Sequence, residues 1–218
     1  MERVVAPSRL LHAQIAGPVG PLEGLVRVPE PAVGAAVVAH PHPQHGGTMH
    51  TKVVHRTARF LADRFHLLTV RFNFRGVGAS AGFYDDGRGE TDDLVAAVQH
   101  ARGLAPQGPL VLAGFSFGSL CALRAAERVR PAVLLLLGVP LERWTGEGAA
   151  DLPPGLPVLW VQGEDDQFGS GAEARARNEA LGFRLATVPH SDHFFSGRLD
   201  AYEEAAVALL RTVLPEGP

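Results

Sequence analysis

The chain has 218 residues, 46% hydrophobic and 20% charged, with a formal net charge of -3. That balance excludes both the sparse hydrophobicity of a disordered chain and the basic surface of a nucleic-acid binder. One domain spanning residues 1–218 is expected, because a chain of this size buries roughly 70% of its unfolded surface.

Neither a secretory signal nor a membrane span is expected. The first residues carry no sustained apolar stretch, and the longest apolar run, Ala132 to Leu137, is far shorter than the roughly 20 residues a bilayer demands. Cys121 is the single cysteine, so no internal disulfide framework exists, and its place on an apolar stretch reads as a packed thiol. A cytoplasmic protein with no nucleic-acid and no membrane partner is the expectation.

Leu10–Ala16 and Leu22–Val28 read as two strands, split by Gly17, Pro18, Gly20 and Pro21 into an opening hairpin. Gly34–Ala39 is a continuous run of small and apolar residues, the pattern of a strand buried on both faces. It ends in His40-Pro41-His42-Pro43, where the two prolines lack donors and leave His42 with the one backbone N–H between them. Five histidines fall between His40 and His55. The pairs His45/His50 and His50/His55 do not have the spacing of helical zinc ligands, so no metal is expected and polar loop histidines are the plainer reading.

Thr51–Phe65 has helical periodicity, with Val54, Ala58, Leu61 and Phe65 on one face. Leu67–Phe72 reads as a strand, followed by a loop from Asn73 to Ser80 that contains Gly76 and Gly78. A dinucleotide fingerprint would need a third glycine where Ala81 stands, so no nucleotide cofactor is expected. Glu90–Ala101 is a further amphipathic helix.

Pro109 to Cys121 carries the densest signal. Leu110–Ala113 is strand-like and Ser119–Ala126 is helix-forming, which puts Gly114-Phe115-Ser116-Phe117-Gly118 at a strand-to-helix turn as a G-x-S-x-G sequence. A serine held in a strained conformation at such a turn needs near-absent side chains two residues to either side. Unpaired N–H groups at the start of the helix can then face a developing oxyanion, and Phe117 N–H is the obvious donor. Taken alone, the pentapeptide equally suits a serine that merely caps a helix.

Ala132–Leu137 is a buried strand, and residues 141–157 form a connection rich in glycine, proline and charge. Pro157–Gln162 is a strand that runs into Gly163-Glu164-Asp165-Asp166. Helix Gly171–Leu181, strand Arg184–Val188, a loop holding His190 and His193, and helix Leu199–Leu214 complete the pattern. Strands and helices alternating after residue 34 predict an α/β fold, a mostly parallel sheet with helices on both faces.

Sites in such sheets gather at the carboxyl ends of strands. Ser116, the carboxylates at 164–166 and His193 each follow a strand, in the order serine, acid, histidine, which belongs to one hydrolase architecture. A serine hydroxyl is a poor nucleophile alone; an imidazole must take its proton and a carboxylate must hold the imidazole's tautomer. If the His40–Pro43 loop faces Ser116, His42 N–H supplies a second oxyanion donor.

With these residues in place, the chain resembles the α/β-hydrolase superfamily, and within it the small capless bacterial serine hydrolases. Their motifs appear as His40 to Met49, Arg71 to Ser80, Gly114 to Gly118, Gly163 to Asp166 and His193 to Phe195. The resemblance implies an α/β-hydrolase fold with Ser116 as nucleophile, Asp166 as acid and His193 as base, without a cofactor. Arg75-Gly76-Val77-Gly78 matches a loop common in the superfamily and reads as scaffold. Three departures stand out: His40-Pro41 replaces the frequent His-Gly, residues 141–157 are too short for a helical lid, and Ser116 stands where dienelactone hydrolase relatives carry cysteine. The expected activity is cleavage of a small ester through an acyl-enzyme. A peptidase acting on short or proline-containing peptides and a non-catalytic binding module that kept the fold are the alternatives, so the expected partner is a small-molecule ester or peptide.

Overall fold

The computed structural model describes residues 8–217. Strands β1 (Arg9–Gly17) and β2 (Gly20–Val28) form the expected antiparallel hairpin. Strands β3 (Gly34–Ala39), β4 (Leu67–Phe72) and β5 (Leu110–Phe115) follow, separated by helices α1 (Lys52–Phe65) and α2 (Arg88–Leu104). Helix α3 (Phe117–Val129) leads to β6 (Val133–Leu137) and β7 (Val158–Gly163). Helix α4 (Gly171–Leu181), β8 (Arg184–Val188) and α5 (Leu199–Leu210) end the fold.

All eight strands share one sheet, ordered β1-β2-β4-β3-β5-β6-β7-β8. The β1/β2 and β2/β4 pairs are antiparallel, and every pair from β4/β3 to β7/β8 is parallel. Alternate residues of the central strands serve opposite faces. In β6, Leu134 and Leu136 pack into a core with α2 and α3, while Val133, Leu135 and Leu137 pack into a second core with α1 and α5. This two-sided burial is why the central strands read as unbroken apolar runs.

Some boundaries differ from the sequence reading. Strand β5 runs to Phe115, because Gly114 and Phe115 still pair with Leu136 and Leu137, and α3 begins at once at Phe117. Helix α2 starts at Arg88, earlier than expected, because the Glu90 carboxylate accepts from the N–H groups of Asp85 and Gly87 and fixes the first turn. Helix α5 stops at Leu210 rather than 214. There the Thr212 hydroxyl turns back to the Leu209 carbonyl, offering the backbone a turn in place of another helical bond. No helix or strand interrupts the stretch between β6 and β7. Among the described residues, no helix is long and apolar enough to cross a membrane.

Candidate active site

Because the β3 and β5–β8 strands are parallel, their carboxyl ends open on one edge of the sheet, and four loops meet there. The first is the turn at Ser116, which has φ 55° and ψ -121°, a left-handed strain for a residue with a side chain. Two close approaches enforce it. A Cβ on Gly114 would come within 2.1 Å of the Gly118 carbonyl oxygen, and one on Gly118 within 2.6 Å of the Ala39 carbonyl oxygen. Ser116 N–H donates to the Leu137 carbonyl at 2.9 Å, tying the turn to β6.

The second and third loops bring the acid and the base. His193 Nε2 lies 2.8 Å from Ser116 Oγ, and His193 Nδ1 lies 2.8 Å from Asp166 Oδ2. A carboxylate oxygen only accepts, so Nδ1 carries the proton and the bare Nε2 lone pair faces the serine hydroxyl. Asp166 Oδ1 also accepts from Phe168 N–H at 2.8 Å. The rival residues stand elsewhere: Glu164 pairs with Arg175 at 2.6 Å, and Asp165 and His190 are exposed. Phe115, Phe168 and Phe194 surround the His193 ring with centroids 4.8 to 5.2 Å away.

The fourth loop follows β3. His40, His42 and His45 do not share one role, and His40 is not a polar loop histidine. It is fully buried, with Nε2 accepting from Phe74 N–H at 3.0 Å and Nδ1 donating to the Pro41 carbonyl at 2.6 Å. Burial pushes its pKa down to about 4, so the ring stays neutral. Its tautomer is fixed at both nitrogens. The Pro41 carbonyl belongs to the same planar peptide unit as His42 N–H, so holding one aims the other. Among the described residues, neither His42 N–H nor Phe117 N–H donates to any protein acceptor.

His42, Phe117, Ser116 and His193 line one cavity of about 200 Å³, closed further by Leu120, Pro140 and Phe168. The His42 ring stacks on His45 at 4.3 Å and meets Phe117 at 5.0 Å, while its Nε2 is 3.1 Å from the Tyr84 hydroxyl. Burial first, then the positive fields of His45 and Arg143, lower the His42 imidazole pKa.

A profile of the alpha/beta hydrolase fold matches residues 44–139. A structure from Xanthomonas campestris, XC6422, described as an α/β serine hydrolase without lid, is 37% identical. It covers 99% of this chain and 100% of its own, with a TM-score of 0.88. The chain is an α/β hydrolase. The hydrolase is also similar to an α/β serine hydrolase homologue from Coxiella burnetii, at 35% identity, 97% and 100% coverage and a TM-score of 0.81. An uncharacterised protein from Rickettsia prowazekii, RP471, is 31% identical over 90% of this chain and 87% of its own. With XC6422 the hydrolase belongs to the lidless α/β serine hydrolases, in keeping with the bare connection between β6 and β7.

One residue that contacts the candidate acid escaped sequence reasoning. Gln162, fully buried at the end of β7, donates from Nε2 to Asp166 Oδ2 at 2.8 Å and to the Gly169 carbonyl at 2.6 Å. Its Oε1 accepts from Val139 N–H and Trp160 Nε1–H, each at 2.8 Å. The amide therefore fixes the acid from behind. Its only sequence signal is a polar residue closing an otherwise apolar strand.

Proposed function

We propose that this α/β hydrolase is a serine esterase that cleaves a small ester through an acyl-enzyme. The observation that carries the reading is the unbroken hydrogen-bonded line from Ser116 Oγ through His193 to Asp166, open to a cavity that also presents two unpaired N–H groups. In this reading His193 Nε2 takes the Ser116 proton as Oγ attacks the ester carbonyl. The oxyanion forms between Phe117 N–H and His42 N–H, and Asp166 stabilises the imidazolium. The imidazolium then returns its proton to the departing alkoxide. Water, activated by the same His193, releases the acid.

A cavity of about 200 Å³ whose lining is mostly apolar in area suits a short acyl group. Its lining includes no aspartate or glutamate to hold the free amino end of a peptide, and the choice between ester and peptide rests on the turnover test below. The chain has a single cysteine, Cys121, and so no internal disulfide, which suits a reducing, cytoplasmic setting.

The test is turnover of p-nitrophenyl esters of graded acyl length beside an aminoacyl-prolyl anilide, with Ser116→Ala as control and a fluorophosphonate as a direct label. Ester turnover and labelling that both vanish in Ser116→Ala are expected. Anilide turnover exceeding ester turnover would favour the peptidase, and failure to label would favour a binding module.

A further inference from the structure

Arg143 sits in a turn after β6, closed by Arg143 N–H to the Pro140 carbonyl at 3.0 Å and by Trp144 N–H to the Leu141 carbonyl at 3.3 Å. The residues on either side anchor that turn. Leu141 and Trp144 are buried, Trp144 meets Trp160 edge-on at 6.2 Å, and the Arg177 guanidinium covers the Trp144 ring at 5.5 Å. A fixed turn of this kind holds the base of the Arg143 side chain at the wall of the cavity that contains Ser116.

Arg143 is an exposed residue of that turn. Among the described residues, its guanidinium forms neither a salt bridge nor a hydrogen bond. It is the only permanent charge in the cavity lining, which is otherwise apolar apart from histidines, a glutamine, a threonine and Ser116. Asp86, which is exposed and lies outside the lining, acts on His42 in the opposite sense to Arg143. The guanidinium field thus reaches His42, which lines the same cavity as Ser116. Arg143 is exposed to solvent while lining the cavity, and its planar fork matches a carboxylate in two parallel hydrogen bonds.

We infer that the cavity selects esters that carry a carboxylate, with Arg143 as the group that receives it; this rests on the serine-esterase reading above. The carboxylate can sit on either arm of the ester, and the two arms are separable. For the acyl arm the pair is p-nitrophenyl hydrogen glutarate and its neutral methyl ester. For the alcohol arm it is 4-acetoxybenzoate and methyl 4-acetoxybenzoate.

On one arm the anionic member is expected to exceed its neutral counterpart at least tenfold in kcat/KM. The ratio should fall to about one in Arg143→Gln and be partly restored in Arg143→Lys, which keeps the charge and loses the fork. Ratios near or below one on both arms, or a preference that survives Arg143→Gln, overturn the inference while leaving the esterase in place. A turnover-free readout covers the opposite case: calorimetric binding of monomethyl glutarate and 4-hydroxybenzoate to Ser116→Ala protein, with and without Arg143→Gln. Arg143-dependent binding of either acid, with no ester turnover by the wild-type protein, would retain the anion site and refute the esterase. Absence of binding by both acids, together with absence of ester turnover by the wild-type protein, refutes both.

Discussion

The Asp166 carboxylate takes three donors, His193 Nδ1 and Gln162 Nε2 on one oxygen and Phe168 N–H on the other. Each of those bonds restricts how the acid can turn, so its work is orientation as much as charge. Asp166→Asn keeps the shape but lets the amide donate, which favours the wrong imidazole tautomer; turnover should fall by roughly 10⁴, as in serine proteases. Asp165→Asn and Glu164→Gln should stay within about tenfold, or about 1.4 kcal/mol of barrier, and a crippled Asp165→Asn with a near-normal Asp166→Asn would move the role by one residue. His190→Ala should likewise be mild beside His193→Ala. Gln162→Glu sets a second carboxylate against the acid, and like charges so close cannot both ionise freely. The acid limb of its kcat/KM profile should therefore move relative to wild type, whereas a purely structural role would lower activity at all pH values alike. Ser116 is proposed from the G-x-S-x-G turn, and the order serine, acid, histidine points to the carboxylates at 164–166 and to His193, while the choice of Asp166 among the three comes from the family resemblance. Gln162 was not legible, because its partners Val139 and Gly169 become neighbours only when β6, β7 and the loop after β7 are assembled.

Among the elements, the strap from His40 to Pro43 has the most exacting construction. Its chemistry was half visible: two prolines isolate His42 N–H in the sequence, but nothing there reveals that His40 is pinned between Phe74 N–H and the Pro41 carbonyl. The same contrast holds for the helices. Strand β3 was read to the residue because burial on both faces leaves an unbroken apolar run, whereas the ends of α2 and α5 are decided by side-chain bonds from Glu90 and Thr212. Replacing His40 by alanine releases the Pro41–His42 peptide and should lower kcat by about 10²–10³, the usual cost of one oxyanion donor, with fluorophosphonate labelling slowed in parallel. A pH effect on stability also follows. His40 is held near 4 in the folded chain against an ordinary 6.5, so the unfolded chain binds the proton first as pH falls. Its contribution is intact above pH 6.5, is lost progressively down to pH 4, and amounts to on the order of 3 kcal/mol. Urea midpoints followed across that window should fall more steeply in the wild type than in His40→Asn; parallel curves would contradict a neutral buried ring.

Across the whole molecule, the loop after β4 ties together parts that meet only there. Asn73 accepts from Met49 N–H through Oδ1 and donates to Glu23 through Nδ2, linking the segment after the strap to the opening hairpin. Phe74 N–H holds His40. Arg75 reaches α2, where its Nε and Nη2 donate to the two carboxylate oxygens of Asp93 at 3.0 and 2.8 Å, and its backbone N–H adds a third bond at 3.0 Å. The scaffold role read from Arg75-Gly76-Val77-Gly78 thus has a physical content: the pair is buried, with side-chain exposures of 8% and 0%. An isolated buried charge costs far more than the pair contributes, so Asp93→Asn, which strands the Arg75 guanidinium, should destabilise the fold by about 3–5 kcal/mol. Replacing both partners, as in Arg75→Met with Asp93→Leu, removes the unpaired charge and should recover much of that loss. The decisive measurement is the urea midpoint of the two variants beside fluorophosphonate labelling per folded molecule. Because Phe74 adjoins Arg75 and holds His40, the double variant should regain stability yet label Ser116 more slowly than wild type. If it regains full labelling as well, the loop supports the fold without steering the strap.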